Sequence, residues 1–299
     1  MGYHTVTIDV ADCFLGCKSG QLICRTDEGE KSLPLEDVAS ILVTGFSGTV
    51  HSELLLECAT RGIPLIFCRA FRPTALVYPS NRSTDTLLTR AHLRLGKKER
   101  LLLWDATITA KCRNQFVTAS FFSDQKEALD GMRSTAWGKN PHREGTVARS
   151  YWGLWGESLQ LEGFLRERSA EGANQLLNYG YAVLLSSILQ KLFAVGVDPS
   201  IGISHVVRER SDPLAYDLME PFRVLVDEKV GKWIRNLGDA TPEVNREFRS
   251  FIVPFLKDRI SYQGAQLDVA ACIEAVVLSF RRAILAGKTG YYRPWILND

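Results

Sequence analysis

A change of hydrophobic period near residue 79 most constrains what this chain can fold into. Before it, apolar residues alternate or bunch in short runs: residues 5–10 alternate, 21–25 follow a Gly20 turn, and 40–43 stop at Thr44-Gly45. Short β-rich runs punctuated by Gly, Asp and Pro predict a small sheet or sandwich. One helix is expected over residues 50–60, with Leu54, Leu55 and Cys58 inward and Gly62 as its stop. Residues 63–68 read as a buried strand and 74–78 as another. After the polar, non-periodic stretch 79–84 the pattern turns helical. The expected fold is α+β: a β-rich domain over residues 1–79, a linker over 80–89, and a larger all-α domain over 90–299.

At 45% hydrophobic and 23% charged residues, the composition is that of a soluble globular protein. No charged segment followed by an apolar one opens the chain, and the apolar window 182–197 is broken by Gln190-Lys191. A cytoplasmic protein without a membrane span is expected. The seven cysteines are scattered; Cys13 and Cys17 lack a second pair to complete a zinc site. They read as reduced, small apolar residues. The net charge of +2 divides unevenly, with six Lys+Arg against nine Asp+Glu in residues 1–79 and 30 against 25 beyond. A polyanionic partner would fit the second part.

The chemistry-bearing stretch is 201–227. His205 precedes a basic loop, and Asp212-Pro213 has the form of an N-cap and first-position proline. Leu214, Leu218, Phe222 and Leu225 or Val226 fall on one helical face, Asp217 and Glu220 on another. Pro221 inside that helix costs roughly 3 kcal/mol unless a kink accommodates it. A histidine and two carboxylates at one loop-to-helix entry could form part of a divalent-cation site; a solvated histidine and a wet helix face are the alternatives. Glu144 stands near a helix N-terminus, where the dipole alone also favours it, with Gly145 leaving space beside it. The stretch 176–189 is apolar almost all round; Asn178 and Tyr179 are expected to face a cleft and Tyr181 the core. The basic run 90–100 either tracks phosphates or is a solvated helix start. Tyr291-Tyr292 beside Arg293 is either a docking tail or core.

Several blocks together carry a resemblance. They are residues 40–43, Gly62-Ile-Pro-Leu-Ile-Phe67, Arg143-Glu-Gly-Thr-Val-Ala-Arg149, Asn178-Tyr-Gly-Tyr181, Gly196-Val-Asp-Pro199, Gly202-Ile-Ser-His205, and Leu214 to Arg223 with Val226-Asp227. In this order they resemble the CRISPR-associated integrase that captures foreign DNA as new spacers, in the branch with Met-Glu-Pro-Phe-Arg, which suggests a type II-like system. The resemblance implies a β-rich dimerisation domain followed by a helical catalytic domain. It implies that Glu144, His205 and Glu220 hold a metal, with Asp217 as a nearby support and Asn178 and Tyr179 beside them. Many relatives have Asp where Glu220 stands, and Val147 replaces a usual Ala. Two carboxylates and an imidazole suit Mg²⁺ or Mn²⁺, though Zn²⁺ would accept the same set. The activity implied is attack of a DNA 3′-hydroxyl on a phosphodiester, or hydrolysis when water replaces it. Arg143, Arg149 and Arg223 would contact phosphates, or each would pair with a local carboxylate. Implied partners are double-stranded DNA, a second copy of the chain (a homodimer) and a small ferredoxin-fold subunit. A non-catalytic DNA-binding scaffold is the main alternative; a small-substrate metallohydrolase is disfavoured by the lack of a multi-histidine cluster.

Overall fold

The first part of the chain forms β1 (His4–Ile8), β2 (Phe14–Lys18), β3 (Gln21–Thr26), β4 (Gly29–Pro34), β5 (Val38–Val43), β6 (Thr49–Val50), α1 (Ser52–Arg61), β7 (Leu65–Arg69) and β8 (Arg72–Val77). The structure, a computed structural model, describes residues 4–10, 12–45, 47–69, 72–77, 86–167, 171–205, 212–238 and 241–297. One sheet has the order β1-β5-β7-β8 and the other β4-β3-β2-β6. β1, β5 and β7 run parallel, with Thr7 opposite Leu42 and Leu42 opposite Ile66. The single helix α1 stops where expected, at Gly62 with φ 73°, a left-handed conformation that favours glycine.

Alternation along β5 decides how the two parts meet. Ile41 and Val43 enter a core with Leu15, Leu54, Cys58 and Leu65. Leu42 and Ile66, pointing the other way, join the helical core. The central strands are thus buried on both faces, as parallel strands usually are. Ser40 Oγ lies 3.2 Å from Ser186 Oγ across this junction.

The second part comprises α2 (Thr86–Leu93), α3 (Lys97–Ser120), α4 (Lys126–Trp137), α5 (Arg143–Ser158), α6 (Ala173–Ala194), α7 (Pro213–Met219), α8 (Arg223–Leu237), α9 (Arg246–Ile252), β9 (Arg259–Tyr262), β10 (Ala265–Asp268) and α10 (Val269–Ala286). α6 is buried almost all round and forms the axis. A Cβ on Gly180 would stand 2.4 Å from Val226 Cγ1, so glycine lets α6 and α8 approach closely.

Four sequence expectations change. α2 starts at Thr86, inside the stretch read as linker; residues 78–85 lie outside the described ones. The basic run 90–100 is not one helix but the corner between α2 and α3, with Gly96 capping α3. The helical part is not all-α: β9 and β10 form an antiparallel hairpin. Its turn, Gln263-Gly264, takes positive φ at both residues, as tight hairpins require. Of the tyrosine pair, Tyr292 is core and bonded to Thr107 at 3.0 Å, whereas Tyr291 is exposed. All seven cysteines are free, and burial pushes the Cys58, Cys68 and Cys272 thiols up to about 12, consistent with inert packing residues. Among the described residues no helix is long and apolar enough to cross a membrane.

Candidate active site

Pro221 breaks the helix it sits in, as its chemistry demands. α7 ends at Met219, Glu220–Phe222 form a tighter 3-10 turn, and α8 resumes at Arg223. Asn114 of α3 captures the carbonyl of Pro221 at 2.8 Å and that of Trp295 at 3.1 Å, while Leu297 donates back to Asn114 at 2.8 Å. Trp295 stacks on Phe222 at 5.4 Å with planes 9° apart. The last described residues therefore lock the turn that presents Glu220. Phe222 and Val226 are buried and Leu225 is only half-buried, which settles the face left open in the sequence.

Asp217 and Glu220 are no wet helix face; they are 0% and 5% exposed. Asp217 accepts from the backbone N–H groups of Ile203 at 2.6 Å, Ser204 at 3.1 Å and His205 at 3.2 Å. Its Oδ1 also meets His205 Nδ1 at 2.6 Å. With Asp217 accepting from three backbone N–H groups, the short contact to Nδ1 is best met by an Nδ1–H donor, which leaves Nε2 as the nitrogen free to bind. Asp217 therefore folds the 201–205 turn and orients His205, a supporting role. Gly202 permits the turn: a Cβ there would lie 2.4 Å from the carbonyl oxygen of His205. The Asp217 hydrogen bond raises the His205 ring above its usual range, against burial, and Trp104 meets the ring edge-on at 5.7 Å.

Glu144, in the first turn of α5, and Glu220 are brought together by a residue that the sequence reading missed. Lys111 Nζ of α3 lies 2.7 Å from Glu144 Oε1 and 2.8 Å from Glu220 Oε2. Arg223 Nε holds the other Glu220 oxygen at 3.0 Å. Burial would push the Glu220 carboxyl up, but Arg223 and Lys111 outweigh it and hold the group down at about 2. Lys111, against the effect of burial, is held above the usual lysine range by Glu220 and Glu144. The available signal was a lysine set among Ile108, Ala110 and Cys112, which are all core. His205 and Glu220 stand close enough for each charge to shift the other's titration.

The arginines and α6 residues need correction. Arg143 is buried; its terminal nitrogens go to Asp105 Oδ1 at 2.6 Å, Thr109 Oγ1 at 2.7 Å and Gly138 O at 3.1 Å. It ties α5 to α3 and spends its charge on Asp105, although it also lines the groove beside Glu144. Arg223 is the carboxylate partner of Glu220 and lies 4.6 Å over the Tyr181 ring. Arg149 is exposed on α5. Tyr179 is wholly buried, edge-on to Phe248 at 6.0 Å, and does not face the site. Asn178 accepts from Arg166 Nη2 at 2.7 Å. It is Tyr181, not Tyr179, that lies beside the Glu220 cluster. A helix buried on every side has no period from which to read this.

Tyr181 and Tyr151 (3.0 Å) both donate to the buried carboxylate of Asp227. Burial pushes Asp227 from 3.8 up to about 7, against the two tyrosines and Arg223. Between those values the unfolded chain has released a proton that the folded chain keeps, so stability falls as pH rises through the window. Asp227→Asn is expected to flatten that fall. Urea unfolding at about pH 5 and about pH 8 measures it, and an unchanged slope would refute the assignment.

An open groove of about 550 Å³ runs beside Glu144, lined by Trp104, Thr109, Arg113, Trp137 and Lys139 among others. The Arg113 guanidinium lies 5.1 Å over the Trp137 ring. Charge and aromatic surface there suit a nucleic-acid strand.

The chain has relatives in both sequence and fold. The family model described as CRISPR associated protein Cas1 matches residues 6–241. The chain belongs to the Cas1 family. A CRISPR-associated endonuclease Cas1 of Francisella tularensis subsp. novicida is 24% identical over 309 residues, covering 95% of this chain and 96% of the relative. The Korarchaeum cryptofilum CRISPR-associated endonuclease Cas1 is 25% identical over 338 residues, covering 98% of each. Among solved structures, a casposase bound to integration product superposes with a TM-score of 0.76 at 21% identity, over 96% of this chain and 92% of that one. The Cas1 protein from Thermotoga maritima gives 0.74 at 17% identity, over 99% of both. A strand-rich first part and a helical second part are thus the Cas1 fold. Among the described residues, however, no three His, Cys, Asp or Glu side chains are grouped as a metal cage. Asp217 is spent on the backbone and His205, and a protein cation stands between Glu144 and Glu220.

Proposed function

We propose that this chain is a divalent-metal-dependent DNA integrase and endonuclease that inserts DNA fragments into a CRISPR array. The observation that carries the reading is the clasp itself: Glu144 and Glu220, from distant parts of the chain, close on one cation beside an oriented imidazole. Two carboxylates and an imidazole nitrogen are a donor set that suits Mg²⁺ or Mn²⁺, and the carboxylates already hold one positive charge between them. Glu144, Glu220 and Nε2 of His205 would be the ligands. When bound, the ion supplies Lewis acidity at the scissile phosphate and at the attacking oxygen.

The chain's own groups do the rest. Asp217 keeps the His205 ring in one tautomer and one orientation, Asn114 fixes the Glu220 turn, and the Trp137 groove receives a strand. In the reaction a 3′-oxygen forms a bond to phosphorus and the P–O bond to the neighbouring nucleotide breaks. A proton passes, in net, from the attacking hydroxyl to the departing one. Water in place of the hydroxyl gives cleavage. Arg149, Arg113 and Lys139 are candidates for phosphate contacts.

Partners follow from the same reading. The strand-rich part would pair two copies into a homodimer, and a small ferredoxin-fold subunit would space two such dimers along one DNA, in the cytoplasm. A solved Cas6-RT-Cas1–Cas2 complex, superposing at TM-score 0.76 over 98% of this chain and 36% of that one, is consistent with assembly of this kind. The test is a strand-transfer assay with a short duplex bearing free 3′-hydroxyls and a supercoiled repeat plasmid. Joined product is expected with Mn²⁺ and none with EDTA or with His205→Ala. Salt-sensitive DNA binding without any joined or cleaved product would favour a non-catalytic scaffold instead.

A further inference from the structure

Lys111 raises a question that the metal reading does not answer. Its ammonium lies between the same two carboxylates that would ligate the ion, 2.7 Å from Glu144 Oε1 and 2.8 Å from Glu220 Oε2. A divalent ion bound by both needs oxygens at about 2.0–2.4 Å, so it must sit within the space the nitrogen now takes. Two cations cannot share that point. Nor is Lys111 a loose surface side chain, since only 13% of it is exposed and both neighbouring α3 residues, Ala110 and Cys112, are core.

Charge accounting explains why a lysine is there. Glu220 is buried, and Arg223 satisfies only one of its oxygens. Glu144 is partly open, at 39% exposed. Without a cation between them, two carboxylates would face one another at short range in a low-dielectric site. A permanent protein cation removes that repulsion and holds both groups in register. The same bond pair then opposes any other cation.

We infer that Lys111 is a built-in competitor for the divalent ion: its ammonium neutralises Glu144 and Glu220, and the ion binds only by displacing it. The inference rests on the metal reading above and adds an exchange step to it. α3 is held from both sides, by Thr107 to Tyr292 and by Asn114 to the Glu220 turn, so the backbone stays and only the flexible side chain moves. Glu144, the more exposed member of the pair, lines the groove that Thr109, Arg113 and Trp137 also line, and that groove is the open side to which the ammonium would turn. A released ammonium would there meet a strand's phosphate rather than bulk water.

The test is Mn²⁺ binding by calorimetry, in the absence of DNA, on the intact chain and two variants. Lys111→Met keeps the length of the side chain and removes its charge. It is expected to bind Mn²⁺ at least about tenfold more tightly. Lys111→Arg keeps the charge and is expected to stay within about threefold of the unaltered chain. Unchanged or weaker binding in Lys111→Met would overturn the inference and identify Lys111 as a fixed partner that helps the site. If that variant does not fold, acylation of lysines in the unaltered protein, read by mass spectrometry with and without Mg²⁺, decides. Lys111 labelling should rise severalfold with the ion, and labelling indifferent to it refutes displacement. Should neither the unaltered chain nor Lys111→Met take up Mn²⁺, the metal reading itself fails; uptake equal in both sinks only the exchange step.

Discussion

Glu220→Gln is expected to lower the single-turnover rate of strand transfer by at least about a thousandfold while changing DNA affinity by no more than about twofold. The amide matches the carboxylate in size but carries no charge, so Lys111 and Arg223 lose the partner they share. On the proposed reading phosphates would be held elsewhere, by cations such as the exposed Arg149 and those of the Trp137 groove. The stability cost should also be visible, because breaking a buried ion pair leaves its partners uncompensated at about 3–5 kcal/mol. Glu144→Gln provides the internal comparison. Glu144 is only partly buried, at 39% exposed, and among the described residues its ion pair is with Lys111, so its loss should cost similar activity and much less stability, within about 1 kcal/mol. Strand transfer, gel-shift binding and thermal melting on the three proteins separate these effects. Near-normal joining by Glu220→Gln would remove this residue from the centre.

The architecture was legible because it is written in periodicity. The alternation of 5–10, the short apolar run of 40–43 and the helical pattern after residue 84 survive in β1, β5 and the helices, and glycine marks the end of α1. The hairpin β9–β10 was missed because its two short strands lie between helices and only Gln263-Gly264 signals the turn. At the candidate site, Glu144, His205 and Glu220 were named from family blocks, and the irregularity at Pro221 from proline chemistry. The rest was not. Lys111 carries no motif; its meaning depends on α3 passing between α5 and the Glu220 turn, which is a tertiary fact. Arg143 and Arg223 sit beside the expected ligands in sequence, yet each is committed to a carboxylate of the protein. Sequence supplies the charge of a side chain but not its partner. Tyr179 and Tyr181 are one turn-fraction apart on a helix without an exposed face, so only packing tells them apart.

Asn114 ties together more of the Glu220 turn than any motif would suggest. Asn114→Ala is expected to destabilise the fold by about 3–5 kcal/mol, lowering the melting temperature by roughly 5–10 °C. The side chain is fully buried and serves Pro221 O, Trp295 O and Leu297 N at once. Alanine would remove a hydrogen bond from each of those three groups, and an unmet buried polar group costs about 1–3 kcal/mol. The effect should not stop at stability. Proline at 221 has already removed a backbone hydrogen bond from this turn, so Asn114 is the tie that keeps Glu220 aimed at Lys111 and Glu144. Strand transfer below the melting range should therefore fall about tenfold or more, through disorder of Glu220 rather than loss of its charge. Trp295→Ala removes the ring stacked on Phe222 but spares the hydrogen bond to Pro221. It should destabilise comparably, by about 3–5 kcal/mol, with a smaller loss of activity. If the two variants lose activity in step with stability, the turn is merely part of the core and Asn114 has no positioning role.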